Sequence, residues 1–315
     1  MLYALSWLYS QCRIYFEHGL KHRAHLTLET NNMVKITIDT NAEWKPGQHI
    51  YLRFLTQGVH ALTAHPFTIC SLPGARENGR NRMVFYVRAL GGLTGRLGRL
   101  AEKNPGMSVP VLLDGPYGGV QERWFSGFDH SVVVGGGAGA GLTIALARHF
   151  LAQSRRSPNH SGKMTLVVSS RDRGLRRWYL EALAEAVAEL GEDVVTAQDS
   201  GLSVRIHETG GAELSTESSS GHDNGVEKVV TSDRVHETSH TGLNSVETGI
   251  HKGRPELFGL CRGVIAAENG SVGLVVCGPG SMVHDVGRIA ASAQGSITKG
   301  GAGASEVWFH KESFS

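Results

Sequence analysis

No apolar run in this sequence reaches the roughly 20 residues that a membrane-spanning helix needs. No basic leader of a secretory signal precedes the short apolar start Met1-Leu-Tyr-Ala-Leu-Ser-Trp-Leu-Tyr9. That stretch reads either as a stub of interfacial helix carrying aromatics or as a helix packed on the protein, and the chain as it stands is expected not to span a membrane. Cysteines are few: Cys12, Cys70, Cys261 and Cys277 have neither metal-site nor disulfide-framework spacing, as expected of reduced thiols facing the cytosol. Neither charge sign dominates. A formal net charge of +2 gives no electrostatic case for nucleic acid or an acidic membrane as partner. With 315 residues, 40% hydrophobic and 19% charged, the chain reads as an ordinary globular protein with room for two domains.

Glycine is plentiful, at 41 residues, and it is concentrated where it matters. In Ser131-Val-Val-Val-Gly-Gly-Gly-Ala-Gly-Ala-Gly-Leu-Thr143 a β-branched run breaks into glycines and then opens an apolar helical pattern. Strand, loop and helix in that order suit a pyrophosphate, because glycine lets the backbone come close and the helix start aims free N–H groups at an anion. Gly135, Gly137 and Ala140 fit the permissive G-x-G-x-x-G/A spacing, and Gly139, Gly141 and Thr143 complete the candidate loop. Spacing alone allows a plain flexible turn between two core elements equally well.

Before this loop the residues alternate from Arg23 to Asp39 as two antiparallel strands around Asn31-Asn32, followed by strands Ile50–Phe54 and Met83–Ala89, the pattern of a small antiparallel barrel. Within it, His65-Pro66-Phe67-Thr68 puts an imidazole, a rigid bend, an aromatic face and a hydroxyl together, enough to edge-bind and stack a flat heteroaromatic ring. Arg88-Ala-Leu-Gly91-Gly92-Leu-Thr94 supplies a cation, two glycines and a hydroxyl at a helix start, which suits a second phosphate. Taken singly, His65 is more often a satisfied core histidine and Gly91-Gly92 more often a hairpin turn.

Together these motifs carry a resemblance. His65-Pro-Phe-Thr-Ile with Ser71-Leu-Pro73, Pro46-Gly-Gln-His49, Gly91-Gly-Leu-Thr94, Asp114-Gly-Pro-Tyr-Gly118, the glycine loop and Cys277-Gly-Pro279 stand in the order seen in the cytosolic half of ferric reductases and NADPH oxidases. Ser71-Leu-Pro73 and Gly253-Arg-Pro255 look more like fungal ferric-chelate reductases than superoxide-forming oxidases. The resemblance implies a two-domain, ferredoxin-reductase-like fold, with an FAD-binding antiparallel β-barrel at 19–125 and an NADP-binding α/β doubly wound parallel sheet at 126–315. Residues 1–18 would be a juxtamembrane-like segment. His65, Pro66, Phe67 and Thr68 would hold the isoalloxazine of FAD, with Gly91, Gly92 and Thr94 at its pyrophosphate.

The second half alternates strands and helices: strand Ser131–Val134, helix Leu142–Ser154, strand Met164–Ser169, a helix with Leu175, Tyr179, Leu183, Val187 and Leu190 in one stripe, and a strand Leu202–His207. At the end of the second strand an acid would bind a ribose hydroxyl, whereas Arg171 and Arg173, with Arg176 and Arg177 following, favour the 2′-phosphate of NADPH; Asp172 dissents, and the resemblance implies that Ser170 and Arg171 take the adenosine phosphate. From Gly210 to Lys252 polar residues prevail, and a disordered insert is expected at about 208–252, its His236 and His240 being too little for a metal site. Helix Leu257–Ala266 and strand Val272–Val276 then lead to Cys277-Gly278-Pro279 at the ligand-binding rim, where Cys277 is on type alone equally a buried small hydrophobe. A last strand, Glu306–His310, precedes the C-terminal residues. The resemblance implies that Cys277, Gly278 and Pro279 line the nicotinamide and that an aromatic near the end, here Phe314, covers the flavin. Thr68, Cys277 and Phe314 would then lie nearest the reacting atoms.

The expected activity is hydride transfer from NADPH to FAD and release of single electrons, for ferric-chelate reduction in iron uptake. The expected acceptor is a ferric chelate or haem-type group, with association to a membrane haem domain and a place at the cytoplasmic face of a membrane. Alternatives are a soluble NAD(P)H-dependent flavin or cytochrome reductase and an inactive fragment that docks to a membrane reductase.

Overall fold

The computed structural model describes residues 2–56, 58–74, 79–156, 162–172, 174–188, 201–210 and 247–312. A helix, α1 (Leu2–His18), leads into an antiparallel body made of β1 (Arg23–Leu28), β2 (Met33–Thr40), β3 (His49–Phe54), β4 (His65–Thr68), β5 (Asn81–Arg88), α2 (Gly92–Lys103) and β6 (Ser108–Tyr117). The period-2 alternation puts Ala24 and Leu26 of β1 and Val34, Ile36 and Ile38 of β2 on one fully buried face. The strands lie in the order β4-β3-β6-β1-β2-β5, and the two ends of this sheet meet. Cys70 N–H, just past β4, donates to the Val84 carbonyl of β5 at 2.8 Å, and Ser71 Oγ accepts from Val84 N–H at 3.0 Å while donating to the Arg82 carbonyl at 2.8 Å. The expected barrel is thereby closed. Its interior holds Ile50, Leu52, Phe54, Met83, Phe85 and Leu113, with Leu93, Leu97 and Ala101 of α2 plugging one side. Each such Leu, Ile or Phe contributes about 1.5–3 kcal/mol by leaving water.

After a short α3 (Glu122–Phe125) come β7 (His130–Gly136), α4 (Ala140–Arg156), β8 (Lys163–Ser170), α5 (Gly174–Ala188), β9 (Leu202–Glu208), β10 (Glu247–Lys252), α6 (Leu257–Ala267), β11 (Ser271–Cys277), α7 (Gly280–Ile297) and β12 (Glu306–Glu312). The strands form one parallel sheet in the order β10-β9-β8-β7-β11-β12. Helices α4 and α5 bury one face, with Leu175, Tyr179, Leu183 and Val187 in the core as the stripe predicts, and α6 and α7 bury the other. The central strands β7, β8 and β11 run Val-rich and buried on both sides, as strands inside a parallel sheet do.

The expected disordered insert is corrected at its far end. Residues 247–252 form β10, which pairs in parallel with β9 from Glu247↔Ser203 to Lys252↔Glu208. Composition misjudged this segment because its backbone is satisfied by an edge of the sheet rather than by burial of its own side chains. His236, His240 and Leu190 lie outside the described residues.

Barrel and sheet are fastened through α5. Glu185 takes Lys35 Nζ of β2 and, at 2.8 Å, Tyr86 Oη of β5, while Thr30 Oγ1 donates to Glu181 at 2.8 Å. Burial pushes the Glu185 carboxyl up, but the hydrogen bonds from Lys35 and Tyr86 outweigh it and hold the group below the usual carboxylate range. The Tyr86 and Trp178 rings meet edge to face at 5.3 Å.

Candidate functional site

The strand order of the parallel sheet reverses between β7 and β11, which is where an open α/β sheet leaves a crevice at the carboxyl ends of its strands. Gly135 and Cys277 are paired in register at that point. The glycines after β7 do different work. A Cβ on Gly139 would lie 2.1 Å from the Cys277 carbonyl oxygen and 3.0 Å from its Sγ, so only glycine lets the loop cross the end of β11. Gly137, by contrast, is exposed, turns the chain at φ +57° and faces open space. Gly136 and Gly137 line a cavity of about 430 Å³ together with Ser170, Arg171 and Arg254; Arg88 reaches in from the barrel, and Pro279 and Met282 close the α7 side, with Asp285 on the rim. Three guanidinium groups beside the turn at Gly136 and Gly137 make this a site for a phosphorylated anion.

Several singled-out residues fall elsewhere. Thr143 does not face the cavity: it is fully buried, donates to the Ala140 carbonyl at 2.8 Å and so accepts from Tyr179 Oη at 2.7 Å. A Thr three residues into a helix bonds back to its own first turn, which draws the hydroxyl into the core. Gly135, Gly139 and Gly141 are buried packing positions rather than cavity walls. Cys277 is fully buried beneath the loop, and burial with the Glu312 charge pushes its thiol up to about 12. Cys70 and Cys261 are buried and likewise pushed up to about 12, whereas Cys12 is exposed. Alkylation of the native protein at neutral pH should therefore modify Cys12 and leave the other three intact, as peptide mass mapping would read. Modification of Cys277 at the rate of Cys12 would contradict its placement under Gly139.

Asp172, the residue that argues for a ribose diol, is turned away. Its Oδ1 accepts from Gly174 N–H at 2.9 Å at the start of α5, and its Oδ2 takes the Arg88 guanidinium. Its own N–H donates to Ser170 Oγ at 3.0 Å, which leaves the Ser170 O–H to donate into the cavity. Arg254 was not among the candidates. Its signal was the Gly-Arg-Pro after a strand: Gly253, at φ +92°, ends β10 and delivers Arg254 to the cavity wall.

On the barrel side, β4 is the end strand beside the sheet, with Pro66 exposed and His65, Phe67 and Thr68 half-buried. His65 Nε2 bonds Thr63 Oγ1 at 2.9 Å, and the Phe67 ring packs edge to face on Phe85. Gly91 and Gly92 are exposed at the start of α2, with no side chain capping it and nothing within 4 Å of the Cβ that either would carry, and Thr94 Oγ1 donates to the Gly91 carbonyl at 3.0 Å. That uncapped start, with free N–H groups, fits a second phosphate. Barrel and sheet touch next to β4. Cys70 Sγ, two residues past Thr68, comes within 3.2 Å of the position a Gly141 Cβ would take, and His49, paired across strands with Thr68, lies 3.9 Å from Glu312 at the end of β12. Phe314 and Arg173 lie outside the described residues. Among the described residues no group of three or more His, Cys, Asp and Glu could hold a metal ion, and no helix is long and apolar enough to cross a membrane.

Residues 19–121 match the family model of an FAD-binding domain, and residues 128–291, just over half of the chain, match that of the ferric reductase NAD binding domain. Among curated proteins, a probable cell surface ferric reductase, kap2, of Aspergillus oryzae is 30% identical over 164 residues, covering 50% of this chain and 21% of its own length. The ferric/cupric reductase transmembrane component 7 of Saccharomyces cerevisiae is 32% identical over 128 residues, covering 40% of this chain and 19% of its own length. These alignments thus span about a fifth of either relative. Among solved structures, the Amycolatopsis cytochrome P450 reductase GcoB superposes with a TM-score of 0.51 at 16% identity, over 94% of this chain and 71% of that one. The ferredoxin reductase of carbazole 1,9a-dioxygenase gives 0.51 at 15%, over 94% and 69%. Both are likenesses of fold. Closed barrel, doubly wound sheet and the cleft between them are a ferredoxin-reductase-like architecture, and the chain belongs to the ferric reductase family, as a flavoprotein oxidoreductase with its FAD-binding and NAD-binding domains.

Proposed function

We propose that this protein takes a hydride from NADPH and releases the electrons singly, for reduction of a ferric chelate. The observation that supports the reading is the cavity at the β7/β11 switch point, lined by Arg171 and Arg254 of the sheet domain and by Arg88 of the barrel. Bound in these places, the nicotinamide and the flavin supply the redox chemistry itself. The chain supplies position and electrostatics. Gly136 and Gly137 receive the dinucleotide pyrophosphate, and Ser170, Arg171 and Arg254 take the 2′-phosphate, a group that Asp172 does not repel because Arg88 and the α5 start engage it. Gly278 and Pro279 border the nicotinamide, and Cys277 acts from below, fixing the loop through Gly139 rather than touching the ring as a nucleophile. His65, Pro66, Phe67 and Thr68 hold the isoalloxazine, Gly91, Gly92 and Thr94 its pyrophosphate, and Phe314 its outer face. The boundary between the halves falls near Phe125. In a whole protein of this family the onward acceptor is a haem-type group or the ferric chelate, at the cytoplasmic face of a membrane.

The test is optical. Purified chain loaded with FAD should be yellow, NADPH without oxygen should bleach it, and a ferric chelate should restore the colour with two irons reduced per NADPH. Protein that takes up no flavin, or that NADPH leaves yellow, overturns the reading. A colourless chain that still binds a membrane reductase would instead be a docking fragment.

A further inference from the structure

Arg254 owes its place to a strand with little apolar burial. β10 is the edge of the parallel sheet, next to β9, and its Thr248, Ile250, His251 and Lys252 are all exposed. The backbone ladder to β9 is extended at its end by Gly253 N–H, which donates to the Glu208 carbonyl at 2.9 Å. In register across that ladder, His251 and His207 stack, with centroids 4.8 Å apart and ring planes 17° from parallel. Arg254 follows His251 by three residues, past the turn at Gly253, and lines the cavity. On its other side His207 pairs with Ser169 of β8, which lines the same cavity. The charges around the pair are mostly positive. Arg205 stands two residues before His207 on the same face of β9, and Arg171 and Arg254 are at the cavity wall. Glu208 and Glu256, the acids flanking the strand end, are engaged elsewhere: Glu208 lies 3.5 Å from Arg176 of α5, and Glu256 accepts from Gly259 N–H at 2.7 Å at the start of α6. Asp285 of α7 stands on the cavity rim. Burial first, then the charge of His251, push the His207 imidazole down to about 4; Arg205 adds to this and the Gly253 backbone opposes it.

We propose that His207 and His251 are the positioning residues for Arg254: their stack keeps β10 on β9 while the imidazoles are neutral and releases it in acid, so that the cavity reads a 2′-phosphate best at neutral pH. The inference rests on the assignment of that phosphate to Arg254 made above. Two neutral rings packed across a strand pair favour docking, as cross-strand aromatic pairs do. A proton on His207 places a half-buried cation against a second imidazole and near Arg205. The strand relieves this by leaving β9, at the loss of its ladder and of little apolar contact. The sign follows from linkage: a histidine held below its ordinary value of 6.5 contributes its full share of docking above that pH, and the share is lost as pH falls from there toward about 4. Ser170 and Arg171 follow β8, an inner strand, and keep their places, so the rest of the dinucleotide is still bound.

The experiment uses the full chain, with adenosine 2′,5′-bisphosphate and adenosine 5′-monophosphate as probes. By hydrogen exchange, protection of the amides from Thr248 to Gly253 should fall at least about tenfold, relative to those of β8, between about pH 7.5 and about pH 5. His207→Phe, which keeps a ring and takes no proton, should abolish that fall. By calorimetry at about pH 7.5, His251→Ala should weaken the bisphosphate about 5- to 10-fold and leave the monophosphate unchanged. His251→Phe, which restores a ring, should recover most of that loss. His251 is exposed, and circular dichroism verifies that each variant is folded; should His207→Phe not fold, the β8 amides remain the internal reference. Protection of β10 that does not change with pH relative to β8, or a His251→Ala chain that binds the bisphosphate as wild type does, overturns the proposal. A wild type that binds the two nucleotides equally overturns the coenzyme reading and this inference with it. A wild type that prefers the bisphosphate, and a His251→Ala chain that keeps the preference in full, overturn this inference alone.

Discussion

Gly139→Ala should unfold at markedly lower urea and lose NADPH-driven bleaching by about 100-fold. The added methyl would sit 2.1 Å from the Cys277 carbonyl oxygen and 2.8 Å from its carbon. Both are backbone atoms of a strand paired with β7 on one side and β12 on the other, so no side-chain rotation relieves the overlap. The loop must lift off β11 or the strand must shift, at a cost of about 2–4 kcal/mol. A displacement of about 1 Å in the loop that positions the dinucleotide is enough to cost about two orders of magnitude in rate. Gly263→Ala on α6 is the control: nothing lies within 4 Å of its Cβ, and the helix should gain up to about 1 kcal/mol. Equal urea midpoints for Gly139→Ala and wild type would show that the crossing of loop and strand is not as tight as described.

Arg171→Ala and Arg254→Ala should each reduce kcat/KM for NADPH by about 10- to 100-fold and leave kcat/KM for NADH nearly unchanged. A hydrogen bond from a guanidinium to a phosphate is worth about 1.5–3 kcal/mol in such a cavity, and it exists only where the 2′-phosphate does. Arg88 cannot substitute fully, because Asp172 holds it from the side. Steady-state kinetics with both coenzymes reads the ratio directly. If NADH suffers as much as NADPH, the two arginines shape the cavity without reading the phosphate.

How much of this was legible beforehand depends on the range of the interaction. The barrel strands, the Val-rich run into Gly135, the helical stripe of Leu175, Tyr179, Leu183 and Val187, and the rim position of Cys277-Gly-Pro279 follow from alternation and glycine punctuation within a few residues. The order of the motifs placed the family. Strand β10 was hidden, because its stability comes from a ladder with β9 across the insert. Thr143 was assigned to the loop on spacing, yet its hydroxyl is drawn to Tyr179, 36 residues on.

The sequence by itself determined the elements, their alternation and the residue types available to bind two nucleotides. Only the tertiary structure decided which of those residues reach the cleft. Asp172 is removed from competition by Arg88, 84 positions away, Arg254 is delivered to the cavity by an edge strand, and Cys277 is sealed by Gly139. Periodicity records which way a side chain points from its own backbone. What it meets there is set by segments that only the packed sheet and barrel bring within a few ångströms.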